Sequence, residues 1–171
     1  QLLLVFYALR WQLWSPGIHL DGPDSEWQQA QEWAKANTPV KARFIAPPYF
    51  FGNFDTTWRV FSERASLVSI AEMMEILFNP DYLESFTSRF VALAPGAIEQ
   101  FNGDLRESTR IAKKAYYSHS SKEFTRLGCQ FKADYLVVEQ GYPQPFRLVY
   151  NNQGYLIYEL PDCPPDELST V

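Results

Sequence analysis

The residues best suited to chemistry lie in one aromatic stretch, residues 49–64, which also carries two arginines. Its rings would offer flat surfaces, Asp55 would accept hydrogen bonds, and Arg59 and Arg64 are forked donors suited to a phosphate or a carboxylate. A sugar or a lipid phosphate would need this combination of groups. The candidate ligand-binding residues are Tyr49, Asp55, Trp58, Arg59 and Arg64.

The same stretch has a second interpretation, in which its aromatic residues only pack. Phe50, Phe51 and Phe54 would then fold over the domain's own sheet or cover a partner, and Arg64 would pair with a buried carboxylate. The sequence favours packing for the phenylalanines and leaves both roles open for Arg64.

The elements before this stretch predict where it lies. Apolar residues at helical spacing predict a helix over residues 25–36, which the N-T-P motif at 37–39 ends. A short strand follows at 42–46 and stops at two prolines. Ligands of open α/β sheets bind beyond the carboxyl ends of strands, so we expect the aromatic loop to form a site at that end.

The rest of the chain predicts an α/β fold. The pattern indicates helices after Asn79-Pro80, at 105–117 and at 121–127, and strands at 66–70, 134–139, 146–150 and 155–159. The prediction is a three-layer-like mixed sheet of about five strands, mostly parallel with a C-terminal antiparallel hairpin, with helices packed on the sheet.

Composition and motifs exclude several classes of function. A net charge of −5 on 171 residues, with no basic tract, argues against binding to nucleic acid. No cofactor-binding, phosphate-loop or zinc-protease motif is present, so we predict no cofactor and no metal. His19 and His119 have no fixed partner in sequence. The acids Asp21, Asp24 and Glu26 are better explained by helix capping than by cation binding.

Two features of the sequence leave alternatives open. The apolar run at residues 2–9, followed by Trp11 and Trp14, fits either the end of a membrane helix or a buried element of a soluble domain, since a span needs roughly 20 apolar residues. Cys129 and Cys163 fit either one disulfide or two separate thiols. We expect residues 1–24 to form this apolar start and a linker, and residues 25–171 to form a single α/β domain.

A resemblance rests on the order of several short motifs. They are E-W-A-x-x-N-T-P, a strand ending in P-P, W-R-x-F-S-x-R, a late Y-L-V-V strand and V-Y-N-N-x-x-Y-L-I-Y-E-L. This order resembles the C-terminal soluble domain of bacterial polytopic membrane proteins of the C-type glycosyltransferase superfamily. That superfamily includes oligosaccharyltransferases and mannosyltransferases that use dolichyl-phosphate mannose. The W-W-D-Y-G motif of oligosaccharyltransferases is replaced here by PPYFFGNFD, so recognition of an acceptor sequon is not implied.

The resemblance implies an accessory role. The chain would be a non-catalytic extracytoplasmic (periplasmic) domain that helps to cover or bind a lipid-phosphate sugar or its acceptor, with the membrane-embedded part of the same parent chain as its partner. Two alternatives remain. The chain could be a free-standing module that binds a small anionic ligand, or a structural domain that docks on a partner through its aromatic loop.

Overall fold

One five-stranded sheet organises the fold. The computed structural model describes residues 25–49 and 57–163 of the chain. The strands are β1 (Arg43–Ile45), β2 (Ala65–Ser66), β3 (Tyr135–Glu139), β4 (Arg147–Asn151) and β5 (Tyr155–Glu159). Their spatial order is β2-β1-β3-β5-β4. β1 runs parallel to both β2 and β3, and β5 runs antiparallel to both β3 and β4.

The mixed α/β sheet expected from sequence is confirmed, and its strand directions match the expectation in part. Two of the four neighbouring pairs are parallel and two are antiparallel, so the sheet is not mostly parallel. The C-terminal hairpin of β4 and β5 occupies one edge, and β2 occupies the other.

Six α-helices accompany the sheet within the described ranges. They are α1 (Glu26–Asn37), α2 (Arg59–Ser62), α3 (Met73–Ile76), α4 (Tyr82–Leu93), α5 (Leu105–Tyr116) and α6 (Ser121–Phe131), with 3-10 turns at Ile70–Glu72 and Ile98–Gln100. Side-chain caps fix several starts. The Ser25 hydroxyl accepts from the Gln28 backbone N–H at the start of α1, and Ser120 and Glu123 form a capping box at the start of α6.

Successive side chains of a strand point to opposite faces of the sheet, so alternate residues of these strands are buried on its two faces. Phe44, Val137 and Ile157 pack with Trp27 and other residues of α1 on one face. The opposite face packs against α4, α5 and α6, and its buried side chains include Ile45, Leu136, Val138, Phe86, Phe90, Tyr116, Phe124 and Leu127. The sheet therefore has helices on both faces.

α6 runs past Gly128, the position where the sequence predicted its end. It continues to Phe131 and ends at Lys132, whose φ of 53° is left-handed. Gly128 serves packing instead, because a Cβ there would lie 2.9 Å from a side-chain atom of Leu160. A glycine signal inside a helical pattern can mark either a terminus or a close approach.

A disulfide joins Cys129 of α6 to Cys163, beyond β5, with their Cα atoms 5.3 Å apart. The structure thus contains the first of the two cysteine arrangements that the sequence left open. The expectation for the apolar run at residues 2–9 falls outside the described residues. Among the helices of residues 25–49 and 57–163, none combines the length and the apolar character needed to cross a bilayer.

Candidate anion-binding site

Residues 49–64 are a crossover connection between two parallel strands. The chain leaves the carboxyl end of β1 and must return to the amino end before it can enter β2 in the parallel direction. Tyr49 therefore lies near the carboxyl end of the sheet, whereas Arg59 and Arg64 lie near the amino end. The sequence predicted that the whole stretch lies at the carboxyl end of the sheet. Because β1 and β2 are parallel, its first residue lies at that end and its last residues lie at the other.

Tyr49 belongs to a hydrogen-bonded network, the tyrosine network, formed by Tyr49, Lys113, Tyr117 and Glu139. The buried Tyr49 hydroxyl donates to Oε1 of Glu139 at 2.6 Å and lies 3.0 Å from the Tyr117 hydroxyl. Lys113 Nζ holds both Glu139 oxygens, at 2.8 and 2.7 Å. Burial, followed by the neighbouring Tyr117 and Glu139, raises the pKa of Tyr49 far above its ordinary value. The network therefore holds a protonated phenol at the end of β1.

The raised pKa of Tyr49 predicts a loss of stability at alkaline pH. The contribution of Tyr49 to the free energy of unfolding is fully present below about pH 10, the pKa of tyrosine in an unfolded chain. That contribution is lost as the pH rises above this value, because the phenol ionises readily only in the unfolded chain. Tyr49→Phe should lower the free energy of unfolding by about 1–2 kcal/mol at pH 8. Above about pH 10 the free energy of unfolding of the wild type, measured with urea, should fall as the pH rises. Tyr49→Phe should make this fall less steep. Equal alkaline slopes in the two proteins would refute this assignment.

The other aromatic candidate, Trp58, is a core residue. Its indole is 2% exposed and packs against Trp27 and Phe44, with ring centroids 5.2 and 4.9 Å away. Its Nε1–H has no hydrogen-bond partner among residues 25–49 and 57–163. Asp55 and the three phenylalanines at 50, 51 and 54 lie outside the described residues. The proposed role of Trp58 in ligand binding is not supported by its position.

Arg64 is buried, and its guanidinium donates hydrogen bonds to other groups of the protein. Nη2 donates to the carbonyl oxygens of Lys35 and Thr38 at 2.6 and 2.8 Å, and Nε donates to the Thr38 hydroxyl at 3.2 Å. Nη1 reaches the carbonyl oxygens of Ser62 and Glu63 at 3.4 and 3.3 Å. These acceptors include the C-terminal end of α1, where the helix dipole favours a cation. Arg64 thus joins α1 to the entrance of β2, and none of these acceptors in the described part of the chain is a carboxylate.

Arg59 lines an open cavity of about 480 Å³ beside the edge strand β2. Four cationic side chains from distant parts of the chain meet there: Arg43 at the start of β1, Arg59 on α2, Arg89 on α4, and Lys132 after α6. The other lining residues are Ala65, Ser66, Leu67, Gln130 and Phe131. Among residues 25–49 and 57–163, no acidic residue lines this cavity, which we call the basic cavity.

Within the described residues, the cationic groups of the basic cavity use only a minority of their donors. Each guanidinium has five N–H donors. Arg43 uses one, to the Phe131 carbonyl at 3.3 Å, and Arg59 uses one, to the Ser66 carbonyl at 2.8 Å. Arg89 uses two, to the Ser85 hydroxyl at 2.7 Å and the Leu67 carbonyl at 3.5 Å. The Lys132 ammonium has no partner among residues 25–49 and 57–163.

Two carboxylates lie beside the basic cavity without lining it. Oε1 of Glu72 is 3.5 Å from Nη2 of Arg59, and Asp134 accepts the backbone N–H of Arg43 at 2.8 Å. Glu72 is already engaged, because it accepts from the Ser69 N–H and from the Tyr82 hydroxyl. Burial and this bond to Glu72 raise the pKa of Tyr82 to about 12. Among the residues that the structure describes, the four cations therefore exceed the adjacent acids, and they make the cavity locally positive in a chain whose net charge is −5.

The arrangement suits an anion with several oxygens. Planar guanidinium groups bind phosphate and carboxylate oxygens in pairs, and a partly enclosed position strengthens such charge-assisted bonds. Sequence reasoning found Arg59 and missed Arg43, Arg89 and Lys132. No local signal marks these three, since each lies in a different element and only the sheet topology brings them together.

The remaining sequence candidates have structural partners. Nε2 of His119 lies 3.1 Å from the Leu93 carbonyl oxygen, and its ring packs on Phe124. On α5, Arg110 pairs with Glu107, while Lys113 belongs to the tyrosine network. Within the described part of the chain, no group of three or more His, Cys, Asp and Glu residues could hold a metal ion.

Comparison with known proteins gives one match. Residues 25–93 match the family model described as a domain of unknown function (DUF6798). That range runs from α1 to α4 and includes both the N-T-P and the W-R-V-F-S-E-R motifs, together with three of the four cations of the basic cavity. No curated protein and no solved structure matches the chain. The family description names no activity, so the glycosyltransferase resemblance stays a proposal.

Proposed function

We propose that this chain is a non-catalytic accessory domain that binds an anionic group, of the phosphate type, in the basic cavity. The observation that carries the proposal is the convergence of Arg43, Arg59, Arg89 and Lys132 on one cavity that no acid of the described part of the chain lines. Proteins seldom gather like charges without a counter-ion, because the groups repel each other when they are partly desolvated. A bound anion would relieve that repulsion.

The cavity is larger than one inorganic phosphate needs. Leu67, Phe131 and Ala65 give part of its lining an apolar character, while Ser66 and Gln130 can make neutral hydrogen bonds. A phosphate ester fits this lining better than a bare ion, because its organic part would meet the apolar and neutral groups. The ligand class that we propose is therefore a phosphate ester or diphosphate.

The wider role that we propose follows the resemblance: an extracytoplasmic domain attached to the membrane part of a glycosyltransferase-like protein, where the anion would belong to a lipid-phosphate sugar. The disulfide between Cys129 and Cys163 supports this placement, since structural disulfides persist in oxidising compartments. A parent reading frame without membrane helices upstream of Gln1 would exclude this wider role and leave the anion site as a free-standing module.

Calorimetric titration with inorganic pyrophosphate tests the binding function. The double variant Arg43→Gln/Arg89→Gln should bind at least about thirtyfold more weakly than the wild type, because each lost charge-assisted hydrogen bond costs about 1.5–3 kcal/mol. Binding by the wild type should also weaken as salt is added.

The matched control removes the same charge elsewhere. Arg106→Gln/Arg147→Gln alters two exposed arginines that do not line the cavity, so its affinity should equal that of the wild type. Two results would overturn the proposal: no binding by the wild type at about 1 mM pyrophosphate, or equal losses in both double variants.

A further inference from the structure

Several exposed apolar side chains lie between the 3-10 turn at Ile70–Glu72 and the first turn of α4. We call this group the apolar patch; its members are Met73, Met74, Leu77, Phe78 and Leu83. Leu77 is 72% exposed and Phe78 is 87% exposed. Large apolar residues grouped at such exposure mark an interaction surface more often than isolated ones do.

The apolar patch adjoins the basic cavity through two elements. Glu72 immediately precedes the patch, and its carboxylate reaches both Arg59 of the cavity and the Tyr82 hydroxyl. α4 carries Leu83 of the patch in its first turn and Arg89 of the cavity six residues later, a rise of about 9 Å along the helix. The apolar patch and the basic cavity are therefore linked through Glu72 and along α4.

We propose that this combined surface rests on a phospholipid bilayer, with the apolar patch in the interface and a lipid phosphate in the basic cavity. The inference rests on the proposed function and names the source of its anion. Interfacial binding of this kind joins buried apolar area to attraction between basic groups and anionic headgroups.

The shape of the patch favours a bilayer over a protein groove. Side chains as exposed as Leu77 and Phe78 protrude, and a soft medium can bury protruding side chains without a preformed complementary cavity. A second copy of the chain is a poorer occupant. A two-fold contact through this patch would bring Glu75, Asp81 and Glu84 of both copies together, and these exposed acids would repel each other.

Because of these three acids, we expect the apolar patch and the basic cavity to contribute to membrane binding in different ways. The acids oppose attraction between the apolar patch and an anionic membrane, so the attraction must come from the cations of the basic cavity. Changing the patch should therefore weaken binding to all vesicles alike, whereas changing the cavity should weaken binding to anionic vesicles more than binding to neutral ones.

Vesicle flotation with the 171-residue chain tests this inference. On vesicles of phosphatidylcholine and phosphatidylglycerol, Leu77→Asp/Phe78→Asp should lower the bound fraction by at least about tenfold. The matched control Val40→Asp/Leu148→Asp places the same charges on exposed apolar residues outside the patch and should bind within about twofold of the wild type. Arg43→Gln/Arg89→Gln should lose more affinity for these vesicles than for vesicles of phosphatidylcholine alone.

Three results would overturn the inference. The first is unchanged vesicle binding by the patch variant, which would assign the binding to another part of the chain. The second is no vesicle binding by the wild type. The third is a lipid-free dimer, seen by ultracentrifugation, that the patch variant dissociates. The patch variant should still bind soluble pyrophosphate, so failure of that binding in the wild type counts against the anion site and not against the patch.

Discussion

Arg64→Ala is expected to lower the free energy of unfolding by about 3 kcal/mol, because it removes a buried, charged guanidinium that donates several hydrogen bonds to carbonyl and hydroxyl oxygens. The guanidinium donates to the carbonyl oxygens of Lys35 and Thr38 at the end of α1, and the bond to Thr38 is buried. Without Arg64 these carbonyls lose this donor. Urea unfolding followed by circular dichroism measures the change.

Two further variants separate the geometry of Arg64 from its charge. Arg64→Lys keeps the charge but loses the planar fork, so it should recover only about 1 kcal/mol of the loss. Arg106→Ala removes an exposed arginine and should change stability by less than about 0.5 kcal/mol. If Arg64→Ala were as stable as the wild type and bound pyrophosphate less tightly, Arg64 would be a ligand contact, as the sequence first indicated.

Removal of the disulfide should have an effect of similar size. Cys129 and Cys163 are 34 residues apart, and closing a loop of this length is expected to stabilise the fold by about 3–4 kcal/mol in the chain-entropy treatment. Cys163→Ser should therefore unfold at a lower urea concentration than the wild type under oxidising conditions. The bond also holds the segment after β5 against α6, next to Gly128 and Leu160.

The reducing agent dithiothreitol provides the control for the disulfide. In its presence the wild type should fall to the stability of Cys163→Ser, and the variant should not change. A wild type that is insensitive to reductant, or that carries two free thiols when isolated from an oxidising compartment, would contradict the disulfide. It would also remove the support that the disulfide gives to an extracytoplasmic location.

The helices and the C-terminal hairpin were predictable because their signals are local. Ser25 caps α1 at the expected position, the N-T-P motif ends it, and β4 and β5 flank the predicted turn. β2 was harder to predict. The sequence indicated a strand at 66–70, but Ser69 and Glu72 begin a 3-10 turn by hydrogen bonding, which leaves only Ala65–Ser66 paired with β1.

The candidate site was only partly predictable because it is assembled by topology. Arg59 and Arg64 are near neighbours in sequence. Arg59 lines the basic cavity, whereas the guanidinium of Arg64 donates to backbone carbonyls. Nothing in the local sequence distinguishes the two. Arg89 and Lys132 meet Arg59 only because β2 and the ends of α4 and α6 share one edge of the sheet.

The most direct test of the anion site is a crystal structure of the chain soaked with tungstate, a heavy analogue of phosphate. The account predicts an anomalous peak in the basic cavity, with tungstate oxygens at hydrogen-bond distance from Arg43, Arg59 or Arg89, and no such peak in Arg43→Gln/Arg89→Gln. A wild-type crystal whose basic cavity holds no tungstate, or whose tungstate binds only elsewhere on the surface, would contradict it.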